Sequence, residues 1–154
     1  MKNVLLVVAP GYEAPNALAY AMSRARELGG GIVVLAVLDG ESLSRVAAAL
    51  TDVGWVGERV SDDVVEALGA ERRTLAEMQV EQLAEEIRAQ GVEAMPLVRE
   101  GDPSDVCARL VREHDVGLAV LVAERRSWVT RFLSRSAPVR LPTFAGCEIK
   151  VMED

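Results

Sequence analysis

The chain has 154 residues and a mass of 16.6 kDa; half of it is hydrophobic but only 4% is aromatic, so its core must be aliphatic. Seventeen basic against 24 acidic residues give a formal charge of −7, which argues against nucleic-acid binding, since that requires a basic face. No apolar run approaches the roughly 20 residues that cross a bilayer, the opening lacks a secretory-leader pattern, and two cysteines are too few for a disulfide framework. A single cytoplasmic domain over residues 1–154, without membrane insertion, is the expectation.

VLLVVAP (Val4–Pro10) is a continuous apolar run of the kind that forms a strand buried on both faces. Leu18, Ala21, Met22 and Ala25 then recur at helical spacing, Pro15 suits a first helical turn, and the glycines at 29–31 supply a stop. IVVLAVLD (Ile32–Asp39) is a second apolar strand, completing a β-α-β unit whose crossover should be right-handed. Between Glu41 and Val60, Leu43, Val46, Ala47 and Leu50 suggest a short helix, broken around Gly54 and Gly57. Residues 61–90 are polar and helical, with Val80, Leu83 and Ile87 as the buried stripe and Gly69 as a point of division.

VEAMPLV (Val92–Val98) reads as a third strand, which Pro96 assigns to a sheet edge. Asp102 is suited to cap the next helix, Pro103 to open it and Asp105 to meet its positive end; Val106, Cys107, Leu110 and Val111 form its apolar face. LAVLV (Leu118–Val122) is a fourth buried strand. EIKVM (Glu148–Met152) alternates polar and apolar, as a strand at an edge or interface does. The predicted architecture is α/β: a three-layer, open, mostly parallel five-stranded sheet of Rossmann-like form in the order 3-2-1-4-5. Ligands then belong at the carboxyl ends of strands one and four, where the winding reverses, between Ala9–Tyr12 and Ala123–Ser136.

Three stretches carry a family resemblance: VLLVVAPGYEAPNALAYAMSRARELGG at the start, LVREGDPSDVCARLVREHDVGLAVLV in the middle, and AGCEIKVM at the end. Over nearly its whole length the chain resembles the universal stress protein (UspA-like) family, whose fold is grouped with the adenine nucleotide alpha hydrolase-like proteins. ATP-binding members carry, after strand four, glycine, two residues, glycine, nine residues, glycine, then serine or threonine. Such glycines let backbone N–H groups approach phosphate. A gap-free placement sets Val122, Arg125 and Arg135 at the glycine positions and retains only Ser136. The acidic residue typical after the first strand is also missing, because Ala9-Pro10-Gly11 occupies that turn.

From Arg125 to Cys147 there are five arginines (Arg125, Arg126, Arg131, Arg135, Arg140) and no acidic residue, so this segment is +5 and leaves −12 for the rest of the chain. Trp128, Val129, Phe132 and Leu133 have the spacing of a short amphipathic helix, with Ser127 at its start. The arginines could hold a phosphate-bearing ligand through bidentate hydrogen bonds, pair with the protein's own acidic helices, or meet an acidic partner. Trp128 fits packing better than ligand stacking. His114 suits a helix end, and no Cys/His/carboxylate set stands at metal-ligand spacing. Cys107 is expected to be buried and inert, with Cys147 the better redox candidate, and Ser136 has no base partner.

The expectation is therefore a non-enzymatic protein with a degenerate nucleotide site, no cofactor and no metal, acting in stress or regulation through contacts with an unidentified protein partner. The resemblance implies a homodimer formed through Glu148, Ile149, Lys150, Val151 and Met152. The alternative is a sensor for ATP, another adenine nucleotide or another anion. By analogy with the family, Ala9, Pro10, Gly11, Val37 and Leu38 would meet the base, and Arg125, Arg126, Arg135 and Ser136 the phosphates. Nucleotide hydrolysis is a third reading, which lacks an acidic metal ligand and a base.

Overall fold

A computed structural model describes residues 2–9, 13–38, 58–122 and 146–152. Strands β1 (Asn3–Val8), β2 (Ile32–Leu38), β3 (Ala94–Glu100), β4 (Val116–Val122) and β5 (Glu148–Met152) form one sheet in the order β3-β2-β1-β4-β5, and all four pairings are parallel. Helices α1 (Pro15–Leu28), α2 (Glu58–Ala89) and α3 (Pro103–Glu113) cover it.

Alternation along the strands sorts the core into two layers. Val4, Leu6 and Val8 of β1, with Val34 of β2 and Val120 of β4, pack under Ala17, Ala21 and Ala25 of α1 and Ala76, Val80 and Ile87 of α2. Leu5, Val7, Leu35, Ala119 and Leu121 face the other way, onto Cys107, Leu110 and Val111 of α3. Both faces of the three central strands are thus buried, which is why their sequences are unbroken apolar runs. Small alanines on α1 let that helix sit close to the sheet.

The boundaries show what apolar patterning misses. β1 stops at Val8, so Ala9 lies beyond the strand. β3 runs over Ala94–Glu100 rather than Val92–Val98, because Val37 and Leu38 of β2 pair with Arg99 and Glu100 and carry the ladder past the apolar run. β4 begins two residues before Leu118, and Gly117 is the extra residue where the register against β1 slips between Asn3 and Val4. That slip turns Val116 into the α3-side layer while Leu118 enters the other.

Gly69 does not divide residues 61–90: α2 is one helix of 32 residues and starts at Glu58. A lone helical glycine costs about 1 kcal/mol, too little to break a helix anchored by Ala76, Val80, Ala84 and Ile87. β3 is an edge strand, as Pro96 requires. Asp102 caps α3, its Oδ1 accepting from the N–H groups of Ser104 (2.9 Å) and Asp105 (3.2 Å), and His114 ends it. The helices expected within 43–50 and 128–133 lie outside the described residues.

Candidate functional site at the carboxyl edge of the sheet

The strand order sets β1 between β2 and β4, with the change of winding direction between β1 and β4. Of the residues expected at this edge, Ala9, Val37 and Leu38 are brought together at the ends of adjacent strands. Ala9 is nearly buried, and its carbonyl accepts a 3.1 Å hydrogen bond from Gln79 Nε2 of α2. Val37 and Leu38 point into opposite core layers, and the Leu38 carbonyl accepts from Gly101 N–H at 3.2 Å. Pro10, Gly11, Arg125, Arg126, Arg135 and Ser136 lie outside the described residues.

Val122, at the first glycine position of the motif placement, ends β4. It pairs with Met152, is 3% exposed, and its side chain belongs to the core layer beneath α1 and α2. A branched, buried side chain cannot reproduce what a glycine supplies to a phosphate, which is bare backbone open to close approach.

Beside this edge a cleft of about 760 Å³ runs between α1 and α2. Its floor is Leu6 and Val8, and its walls include Leu18, Leu75, Met78 and Leu83 with Glu13, Arg72 and Gln79. Sequence reasoning missed it. The available signal was Leu75 and Met78, apolar residues one turn apart on a polar helix, both more than half exposed.

β5 is the other terminal strand of the sheet. Ile149 and Val151 pack on the α3-side layer, with Cys147 beside them. On the opposite face Glu148 Oε2 lies 3.3 Å from Arg24 Nη2 of α1, Lys150 Nζ sits 5.9 Å from the Tyr20 ring centroid, and Met152 meets the core beneath α1. Arg24 Nε is buried and lies 3.3 Å from Glu27 Oε2 without the alignment of a hydrogen bond.

Burial, helped by the charges of Asp102 and Cys147, pushes the Cys107 thiol up to about 12. Burial is also the main cause that raises Cys147, which is only partly covered. Among the described residues no group of three His, Cys, Asp or Glu side chains could hold a metal ion, and no helix is long and apolar enough to cross a membrane.

The same fold recurs in solved structures. The universal stress protein UspA from Lactobacillus plantarum superimposes with a TM-score of 0.66 at 17% identity, over 99% of this chain and 97% of that one. The universal stress protein from Archaeoglobus fulgidus gives 0.60 at 17% identity, over 99% of this chain and 92% of that one. A structure of the Archaeoglobus fulgidus protein in complex with dAMP gives 0.58 at 17% identity, over 98% and 96%. At such identities the likeness establishes the fold alone. No curated protein matches the sequence. The model of the universal stress protein family, however, matches residues 1–141. With that match over most of its length, and with the sheet order expected of it, the chain belongs to the universal stress protein family.

Proposed function

We propose that this protein is a non-enzymatic universal stress protein, one cytoplasmic domain over residues 1–154, that works as a homodimer through contacts with other proteins and holds ATP weakly or not at all. The observation that carries this reading is Val122: the position of the first phosphate-binding glycine ends a strand with a buried, branched side chain. The Ala9-Pro10-Gly11 turn supports it, because it supplies no carboxylate after the first strand. The β5 edge supports dimerisation: an edge strand tends to pair unless it is protected, and two-fold pairing is the commonest closure.

A second reading is favoured by the dAMP complex of the Archaeoglobus fulgidus protein, which shares the fold. In it an adenine nucleotide lies against Ala9, Pro10, Gly11, Val37 and Leu38, with Arg125, Arg126, Arg135 and Ser136 replacing the backbone cradle. Native mass spectrometry of freshly purified protein, followed by titration with Mg-ATP and dAMP, decides between them. The first reading expects a dimer mass without nucleotide and no saturable binding at about millimolar ligand. A retained nucleotide that is lost in Arg125→Ala/Arg135→Ala establishes the second. ATP turnover abolished by one substitution at the edge would make the protein a hydrolase.

A further inference from the structure

We propose that the cleft between α1 and α2 binds a long-chain aliphatic carboxylate, with its methylenes against Leu18, Leu75, Met78 and Leu83 and its carboxylate at Arg72. The site is separate from the adenine edge considered above and stands whether or not a nucleotide binds there.

The two helices divide this face of the sheet unevenly: α1 lies mainly over β1 and β4, and α2 over β2 and β3. Leu6 and Val8 of β1 floor the space left between them, which has a volume of about 760 Å³. That is within the range of sites that enclose small organic ligands. Arg72 and Glu86 of α2 both line it, and the helical rise between them amounts to about 21 Å, so the cleft is long rather than round.

The lining favours an alkyl chain. Leu18 and Leu83 are half-buried, while Leu75 and Met78 stand more than half exposed on a helix whose other outward positions are mostly charged. Large apolar side chains held side by side in water gain free energy when an apolar ligand covers them. No Phe, Tyr or Trp is among the described lining residues, so a planar aromatic ligand finds no ring to stack on. Leucine and methionine rotamers adapt instead to a flexible chain.

Charge sets the class of head group and its direction. Arg72 is the one cationic residue among the described residues of the lining. Its neighbour Arg73 is committed, with Nε 3.2 Å from Glu77 Oε1 and Nη1 3.1 Å from Glu100 Oε1. Among the described residues no carboxylate lies within ion-pair distance of Arg72. A guanidinium fork matches a carboxylate through two parallel hydrogen bonds. α1 and α2 run in the same direction, so Arg72 stands at the end where α1 begins; the first turn of α1 has no acidic residue, and its positive dipole end adds to the attraction. Glu13, exposed at that same end, opposes an anion and limits affinity, whereas Glu86 keeps the carboxylate from the far end.

Isothermal titration calorimetry of the full chain with dodecanoate, below its micelle concentration and in low salt, tests the site. Wild type should take up one dodecanoate per chain with a dissociation constant of roughly 1–100 μM. Arg72→Ala should weaken binding about tenfold, and Glu13→Gln should tighten it about twofold. Dodecyltrimethylammonium, with the same chain and the opposite charge, should bind at least about tenfold more weakly than dodecanoate. Leu75→Asp/Met78→Asp should abolish binding; both positions are exposed, so the far-UV circular dichroism melt should stay that of wild type. Equal affinity for the two amphiphiles, or an Arg72→Ala affinity equal to wild type, overturns the carboxylate assignment. Absence of saturable binding to wild type overturns the site, as it would if a second copy or another part of the chain filled the cleft.

Discussion

Asn3 and His114 stand 111 residues apart, yet the Asn3 side-chain amide donates to the His114 carbonyl at 2.6 Å, while its Oδ1 accepts from the Gly31 N–H at 3.0 Å. One side chain at the start of β1 therefore bridges the entrances of the two neighbouring strands, β2 and β4. It satisfies backbone groups at points where the ladder has not yet begun or has slipped.

Removing that bridge strands a donor and an acceptor. Asn3→Ala should cost about 1–3 kcal/mol, the penalty of leaving part-buried polar groups unpaired. Urea melts followed by far-UV circular dichroism measure it. An Asn3→Ala midpoint equal to wild type would show that water replaces both bonds.

The close approach of strand entrances also forbids a side chain at Gly30, where a Cβ would lie 2.1 Å from the Lys2 carbonyl oxygen. The obstacle is backbone, so no rotamer change relieves it. Gly30→Ala should destabilise by about 1–3 kcal/mol or more. At Gly117 the corresponding obstacle is the Lys2 side chain, whose outer atoms can swing away although its Cβ, 2.8 Å off, cannot. Gly117→Ala should cost less, and thermal melts of the two variants side by side give the order.

The cap of α3 rests on one carboxylate that accepts from two N–H groups. Asp102→Ala should lose about 1 kcal/mol and Asp102→Asn much less. In a chain of this length 1 kcal/mol lowers the melting temperature by roughly 2–4 °C. Equal melting of the two variants would refute the capping role.

Two groups give stability a pH dependence of known sign. The Cys107 thiol titrates at about 12 in the fold against 9.0 unperturbed, so the unfolded chain loses its proton first. Its contribution is complete below about pH 9 and is lost as the pH rises from there towards 12. At the acid end, the hydrogen bond from Lys2 Nζ (2.8 Å) and then its charge hold Asp115 below 3.8. That contribution is present above the unperturbed value and is lost as the pH falls through the lowered one. Cys107→Ala should flatten the alkaline limb of a stability–pH curve, and Asp115→Asn the acid limb. In native protein at pH 7.5, Ellman's reagent should reach neither thiol quickly, with Cys147 ahead of Cys107 because it is less covered.

Much of the fold was legible along the chain. The runs at Val4–Val8, Ile32–Leu38 and Leu118–Val122 are apolar at every position because helices cover both faces of those strands, and their length and flanking glycines favour strand over helix. Asp102-Pro103 announced α3 because caps act over three or four residues, which lie together in any fold. What failed were features set by partners distant in sequence. β3 extends over Arg99 and Glu100 because Val37 and Leu38 lie alongside, and Gly69 stays helical because α2 is held down further along by the sheet.

The candidate site divides in the same way. That the Ala9-Pro10-Gly11 turn and Val122 stand where the family's motif has an acidic residue and a glycine is an expectation read from residue order alone. That the Ala9 carbonyl is taken by Gln79, 70 residues away, is visible only once α2 lies beside β1. The amino-acid sequence by itself determined that five strands exist, where α1 and α3 start, and the family, because apolar periodicity and capping are short-range. The tertiary structure decided the register in which the strands pair, where a cleft opens, and which side of β5 carries Glu148 with Lys150, because those depend on contacts between residues that the chain's order keeps far apart.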